Sequence, residues 1–277
     1  MSAAFLYGLV VLSAIAHAVW NAMMKHAGDR AMMMVAIRSV GLILGLAALP
    51  FVDWPAAASW KWLGLTVLVQ FAYFVLLVRS YSIGDMSVVY PLARGLAPVL
   101  TTIAAFLFAG EALSTGQMGA VALISLGIMV LSVGAGASRP AVGFALATGA
   151  SVAAYSFLAG MGVRTSGTVL GFQACQEVVN GAVVLAYGMT RRVEFVAYIR
   201  RHAAVGALAG LMSVIGFLAF LTAARSLPLG PTTALRETSV IFGAVIGTWV
   251  LKEGFGLRRI TAAILVVTGI GLLAILH

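Results

Sequence analysis

Long apolar segments alternate with short polar connections along the whole chain. The apolar segments span 16 to 22 residues, which is close to the length that an α-helix needs to cross the hydrocarbon core of a bilayer. The breaks between them contain charged and turn-forming residues. The pattern predicts ten helices, near residues 3–24, 31–51, 60–77, 88–109, 118–133, 142–161, 169–189, 203–223, 231–251 and 260–276.

Composition supports a polytopic membrane protein over a soluble one. The chain is 62% hydrophobic with a mean hydropathy of +1.08, whereas soluble domains are about half apolar. The net charge of +9 comes largely from residues in predicted loops, so anionic lipid headgroups and topology explain it better than nucleic acid does. The single cysteine, Cys175, offers no disulfide framework or metal cluster, and we expect no cofactor.

The two halves of the chain resemble each other. The same offset of 142 residues separates Arg94 from Arg236, Glu111 from Glu253, and Gly127 from Gly269. The chain is therefore predicted to be a duplicated unit of five helices, with one unit in residues 1–137 and the other in 138–277. Because five is odd, the second unit enters the membrane from the opposite side. Such inverted repeats are typical of secondary transporters.

The distribution of basic residues predicts the orientation. The connections after predicted helices 1, 3, 5, 7 and 9 hold eleven lysines and arginines, and the alternate connections hold three, Lys61, Arg164 and Arg225. Since basic loops are retained in the cytoplasm, the first set is expected inside and both termini outside.

Several short strings resemble one family. Residues 89–98 (VYPLARGLAP) with Gly110-Glu111 resemble the first EamA repeat of the drug/metabolite transporter superfamily, and residues 235–243 (LRETSVIFG) with Lys252-Glu253 resemble the second. The segment AHAVWN at 16–21 resembles a common start of the first helix. The resemblance implies two inverted five-helix EamA repeats and a transport function. Bacterial ten-helix members include exporters of aromatic and other amino acids, which implies that substrate class and an inner-membrane location.

Polar side chains in three predicted helices are candidates for lining a substrate cavity. His17, Trp20 and Asn21 share one face of helix 1 because they are three and four residues apart. They could bind an amino acid, or His17 could simply bond a neighbouring helix. Tyr73 on helix 3, and Tyr155 with Ser156 on helix 6, could face the same cavity or be packed.

The charged residues inside the predicted helices form the second group of candidates. Arg94, beside Tyr90, and Arg236 could each anchor a substrate carboxylate, hold a gate closed, or extend to the headgroups, and their places in inverted units predict that they lie near opposite membrane faces. Glu177 and Glu237 are candidates for proton coupling, since burial disfavours an ionised carboxylate.

Prolines could supply bending. Pro91 in predicted helix 4 and Pro231 at the start of helix 9 are candidates for gating. Three small-xxx-small pairs, Gly41/Gly45, Gly206/Gly210 and Gly243/Gly247, predict close helix packing.

These features predict an all-α secondary transporter that exports small polar metabolites, with amino acids foremost, by alternating access. The partners would be the small-molecule substrate and the lipid bilayer. The chain has no P-loop and no protease or hydrolase motif, so an enzyme is not expected. Two alternatives stay open: a flippase of a lipid-linked intermediate, and a non-transporting membrane scaffold.

Overall fold

The computed structural model describes residues 1–25, 27–83, 86–132, 138–243 and 257–276. Within these ranges the chain folds into helices joined by short connections. The helices are α1 Ala3–Lys25, α2 Arg30–Ala48, α3 Ala57–Ile83, α4 Met86–Ala109, α5 Thr115–Val130, α6 Arg139–Thr165, α7 Val169–Thr190, α8 Arg192–Ala224, α9 Leu229–Glu237 and α10 Leu257–Ile275. The predicted all-helical membrane class is confirmed.

Polar side chains begin several of these helices. The side chains of Asp29, Ser138 and Thr168 accept hydrogen bonds from the free backbone N–H groups at the starts of α2, α6 and α7. Ser114 forms a reciprocal pair of bonds with Gln117 at the start of α5. These caps set the helix starts within a few residues of the predicted ones.

Among the described residues, seven helices, α1 to α4 and α6 to α8, are long and apolar enough to cross a membrane. Helix α5, Thr115–Val130, and the part of α10 at Ile260–Ile275 are shorter apolar helices. A ten-span topology remains a prediction, because the predicted ninth span continues into residues 244–251, which lie outside the described ranges. The predicted Gly247 and Glu253 also lie outside them, and no atom of the described residues comes within 4 Å of a Cβ added at Gly243.

Two helices depart from the predicted bounds. Helix α8 begins at Arg192 instead of 203, and His202 (φ −129°, ψ 17°) separates a basic first segment from the apolar remainder. Helix α9 ends at Glu237, and a turn at Thr238 precedes a further helical segment at 239–243. The Thr238 side chain donates to the Leu235 carbonyl at 2.6 Å, so it satisfies a backbone acceptor at the break.

Helices of the two halves pack against each other in antiparallel pairs. Helix α2 packs on α7, α3 on α6, α1 on α8, and α5 on α10. In α5 and α10 the contacts are reciprocal: a Cβ at Gly127 would lie 3.0 Å from the Ala262 carbonyl oxygen, and one at Gly269 would lie 2.9 Å from the Ala120 carbonyl oxygen. Late residues of each helix thus contact early residues of the other.

Glycine permits the closest of these approaches. A Cβ at Gly45 would lie 2.8 Å from the Ala174 carbonyl oxygen, and one at Gly210 would lie 2.5 Å from the Val40 Cβ. Both contacts involve α2, which packs between α7 and α8. The first two predicted glycine pairs therefore mark tight helix contacts, as the sequence indicated.

Candidate functional site

A cavity lies at the centre of the bundle, enclosed by helices of both halves. Its lining comes from α1, α2, α3, α6, α7, α8 and α9. The lining residues are His17, Trp20, Arg38, Gln70, Tyr73, Phe74, Tyr155, Gln176, Ser213, Gly216, Phe217 and Arg236. The described wall is therefore aromatic and polar, with two arginines and no carboxylate.

The cavity is contracted in this conformation. The space open to the centres of water molecules is about 30 Å³, and one water needs about 10–15 Å³ by that measure. The cavity thus has room for about two waters. A metabolite of amino-acid size would need its side chains or helices to move apart.

Five of the residues predicted to bind substrate lie on this wall: His17, Trp20, Tyr73, Tyr155 and Arg236. The rings of Tyr73 and Tyr155 meet edge to face, with centroids 5.6 Å apart, and join α3 to α6. The other predicted residues are not part of the lining; they are Asn21, Tyr90, Arg94 and Ser156.

The predicted face of α1 is only partly directed at the cavity. His17 and Trp20 contact each other edge to face, with ring centroids 4.8 Å apart. Asn21 is buried, and its amide donates to the His17 carbonyl within the same helix at 2.8 Å. In this conformation His17 and Trp20 line the cavity, and Asn21 supports the helix beneath them.

Arg94 is held by an ion pair between the two halves. Its Nη1 donates to Glu237 Oε2 at 2.7 Å, and both side chains are almost fully buried. Its Nη2 contacts His17 Nε2, and its guanidinium lies over the Tyr90 ring at 5.2 Å. The guanidinium of Arg94 therefore has an aromatic ring against its face and polar partners at the N–H groups of its edge.

The expectation that Arg94 and Arg236 lie near opposite membrane faces is not met, because Arg94 bonds the residue adjacent to Arg236. Each arginine lies about 10–12 Å into its own helix, and the hydrocarbon core is only about 30 Å thick. Two such positions approached from opposite sides meet near the middle once the long side chains are extended. Both arginines thus belong to one central site.

Arg236 is buried in a cage of aromatic rings. Its guanidinium carbon lies 4.6 Å from the centre of the Phe220 ring, 5.4 Å from Phe217 and 5.9 Å from Tyr155. Its Nε and Nη1 atoms are buried without a hydrogen-bond partner. Among the described residues no carboxylate lies within ion-pair distance of it. It is a desolvated cation with unused donors.

Arg38 on α2 is a site residue that the sequence reasoning missed. It lines the cavity over the Phe74 ring, at 5.1 Å, and its Nη1 lies 3.7 Å from Glu177 Oε2. Glu177 packs directly against Gly41, where a Cβ would collide with its carboxylate. A charge inside the apolar run 31–51 was the available signal, since an intramembrane charge needs a partner or a pathway.

Buried amides form a third polar group beside the cavity. The Gln176 and Asn180 side chains both donate to Gln70 Oε1, at 3.3 and 2.6 Å, and this connects α7 to α3. Gln176 Oε1 remains buried without a hydrogen-bond partner. The amides of α7 therefore bond a neighbouring helix, and Gln176 also leaves an acceptor at the wall.

The two predicted gating prolines have different surroundings. Pro91 and Pro98 both lie inside α4. A proline there has no N–H to donate to the carbonyl four residues earlier, so each interrupts the helical hydrogen bonds. Pro231 lies in the first turn of α9, where no helical hydrogen bond is lost. Pro91 is thus placed to bend a helix, whereas Pro231 helps to begin one.

Polar contacts of Glu111 and Arg164 join several helices, and we call this pair the Glu111–Arg164 latch. Arg164 Nη1 lies 2.5 Å from Glu111 Oε1, and its Nε and Nη2 donate to the carbonyls of Ala224 and Leu227. Glu111 Oε2 accepts from the Leu229 N–H at 2.8 Å, at the start of α9. Two side chains thus join α4, α6, α8 and α9.

The chain is similar to one protein family and to a protein of known structure. Residues 4–133 match the EamA-like transporter family. A protein of known crystal structure is 16% identical and has a TM-score of 0.72, over 99% of this chain and 97% of that one, which shows a shared fold. No curated protein matches the chain at a significant level. The match over residues 4–133 is consistent with the drug/metabolite transporter superfamily.

Proposed function

We propose that this protein is a secondary transporter that exports small carboxylate-bearing metabolites, amino acids foremost, across the bacterial inner membrane. The observation that carries the proposal is Arg236, a buried cation on the cavity wall with unpartnered donors. A buried charge without a partner is costly, and a substrate carboxylate would offset that cost.

The charge balance around the cavity supports an anionic group on the substrate. Three arginines, Arg38, Arg94 and Arg236, and two glutamates, Glu177 and Glu237, lie at or beside it among the described residues. Two of the arginines have a carboxylate within 4 Å, so Arg236 is the positive charge in excess.

The amides and rings support an amino acid in particular. Gln176 Oε1, the free acceptor at the wall, could accept from an ammonium group, while Arg236 binds the carboxylate. The surrounding rings of Trp20, Tyr73 and Phe74 would pack against a side chain and also attract the ammonium through their faces.

Alternating access is the proposed mechanism, and the packing of the halves supports it. The reciprocal, antiparallel contacts of α5 and α10 are those expected of two units related by a two-fold axis lying in the membrane plane. The central ion pair Arg94–Glu237 and the cavity wall both combine residues of the two halves. Rocking of one half against the other would open the cavity to one side and then to the other.

The test is a substitution that keeps the charge but loses the planar guanidinium. Arg236→Lys should weaken binding of an amino acid about tenfold or more, because a hydrogen-bonded charge is worth roughly 1.5–3 kcal/mol and lysine cannot bind bidentately. Binding of the decarboxylated amine should change little. Calorimetric titration of the purified protein measures both, and Arg225→Lys, at an exposed arginine, is the matched control.

Equal losses for the acid and the amine would count against the proposal. They would assign Arg236 to the fold or to a gate, and the face of His17, Trp20 and Asn21 would become the better candidate for recognition. The described wall of the central cavity is polar and aromatic, which favours a small polar substrate over the flippase alternative.

A further inference from the structure

The cavity has a second arginine on its wall, in the other half of the molecule. Arg38 belongs to α2 of the first half, and Arg236 to α9 of the second. No described residue of the lining carries a negative charge. Glu177 lies near Arg38 but is not part of the lining, so a lone carboxylate bound by Arg236 would leave the donors of Arg38 unused.

An aromatic ring contacts the face of each guanidinium, so the N–H groups at its edge remain available for a ligand. Phe74 lies 5.1 Å from the Arg38 guanidinium carbon, and Phe220 lies 4.6 Å from that of Arg236. An aromatic contact occupies the face of a guanidinium, whereas its N–H groups point outward in the plane. Arg94 has a similar ring contact with Tyr90, but its edge is already bonded to Glu237 and His17.

The donors on those edges are unused. Arg38 Nε, and Arg236 Nε and Nη1, are buried without a hydrogen-bond partner. Glu177 approaches Arg38 only to 3.7 Å, which is beyond hydrogen-bond distance. Glu177 therefore offsets the charge of Arg38 without saturating its donors.

We propose that the substrate carries two separate carboxylates, one bound by Arg236 and the other by Arg38. This inference rests on the proposed function, because it takes the cavity to be the transport site. The substrate class is thereby narrowed to small dicarboxylates, including the acidic amino acids. Since the two arginines belong to different halves, such a substrate bridges the halves and uses the free donors of both arginines.

Matched acid and amide ligands test this inference. Glutamate with glutamine, aspartate with asparagine, and succinate and glutarate with their monoamides are titrated calorimetrically into the full-length protein in lipid nanodiscs. In at least one pair the acid should bind about tenfold tighter than the amide, the gain expected from one charged hydrogen-bonded contact. Arg38→Gln should reduce that ratio to about one and leave binding of the amide little changed.

Controls separate recognition from folding. Arg38→Gln leaves Glu177 without its nearby cation, so the double variant Arg38→Gln/Glu177→Gln, which keeps the site's charge balance, is measured beside it. Arg225→Gln removes an exposed charge and should change neither member of any pair. If the double variant also loses the acid preference while binding the amide normally, Arg38 is the second anchor.

The outcomes also separate this inference from the proposed function. Acids that bind no better than their amides in every pair, or equal losses for both in the double variant, would overturn the second anchor. If the amides, which retain one carboxylate, still weaken with Arg236→Lys, the proposed function survives. Binding of all ligands that is indifferent to Arg236→Lys would overturn both.

Discussion

Glu177 and Glu237 are both buried carboxylates, but their partners differ. Glu237 accepts a 2.7 Å hydrogen bond from Arg94 and ties the two halves together. Glu177 Oε2 has no hydrogen-bond partner, and Arg38 lies 3.7 Å away. A proton on Glu237 would break a hydrogen-bonded ion pair, whereas a proton on Glu177 Oε2 would break no hydrogen bond. Of the two predicted coupling residues, Glu177 is therefore the better suited.

This difference leads to a prediction about coupling. With Glu177→Gln, transport into proteoliposomes should become independent of an imposed pH gradient, while substrate counterflow stays within about twofold of wild type. With Glu237→Gln, counterflow itself should fall, because Arg94 loses its buried partner. Wild-type transport that ignores the pH gradient would make the protein a facilitator and contradict the coupling role.

Residues that act together within one helix were the easiest to predict. His17 and Trp20 follow from spacing alone, and both line the cavity. Arg38 was missed because its partners, Glu177 and Phe74, lie on other helices and are distant in the sequence. Arg94 was recognised as important, but its bond to Glu237 depends on how α4 and α9 cross, which spacing does not encode.

In the proposed mechanism, the bonds that would break when the cavity opens lie in the connections between helices. In the Glu111–Arg164 latch, one carboxylate bonds the start of α9 and one guanidinium bonds the carbonyls after α8. Both side chains are partly exposed, at 15% and 23%, so water can replace their bonds when the helices separate. The latch is thus suited to a gate that opens and closes repeatedly.

Weakening the latch should expose the cavity from that end. Arg164→Gln should raise the labelling rate of Ser213→Cys, in a Cys175→Ala background, by about tenfold for an impermeant thiol reagent added on the Glu111 side. The reason is that a charged hydrogen bond is worth roughly 1.5–3 kcal/mol. Arg225→Gln removes an exposed charge nearby and should leave labelling unchanged. Equal labelling in the two variants would show that the latch does not close this end.

Helix positions were predictable where an apolar run coincided with a cap, as in α7, but not where charge interrupts a helix. Residues 192–201 were interpreted as a loop because of Arg192, Arg200 and Arg201, yet they form the first part of α8. Exposed Val193 and Val196 lie between Arg192 and Arg200, a composition suited to the interface between headgroups and lipid tails. The break at Thr238 likewise has no proline or glycine to announce it.

At the scale of the whole molecule, the basic residues predict which end faces the cytoplasm. In a Cys175→Ala background, Arg191→Cys should react with an impermeant thiol reagent only from the cytoplasmic side, and Lys61→Cys only from the outside. Lys61 is exposed and the Arg191 side chain is 40% exposed, so labelling in intact cells and in inverted vesicles measures the two directly. The opposite pattern would reverse the orientation and leave the fold unchanged.

Helix α9 connects the Glu111–Arg164 latch to Arg236, the residue proposed to bind the substrate carboxylate. Its first residue, Leu229, bonds Glu111, and Arg236 lies in its last turn, about 10 Å further along. A displacement at the start of this nine-residue helix would reach its last turn, and a turn at Thr238 separates that end from the helical segment at 239–243. In the proposed mechanism, opening the latch and withdrawing Arg236 would be a single event, so a substrate would leave when its exit appears and slippage of an empty, half-open carrier would be rare.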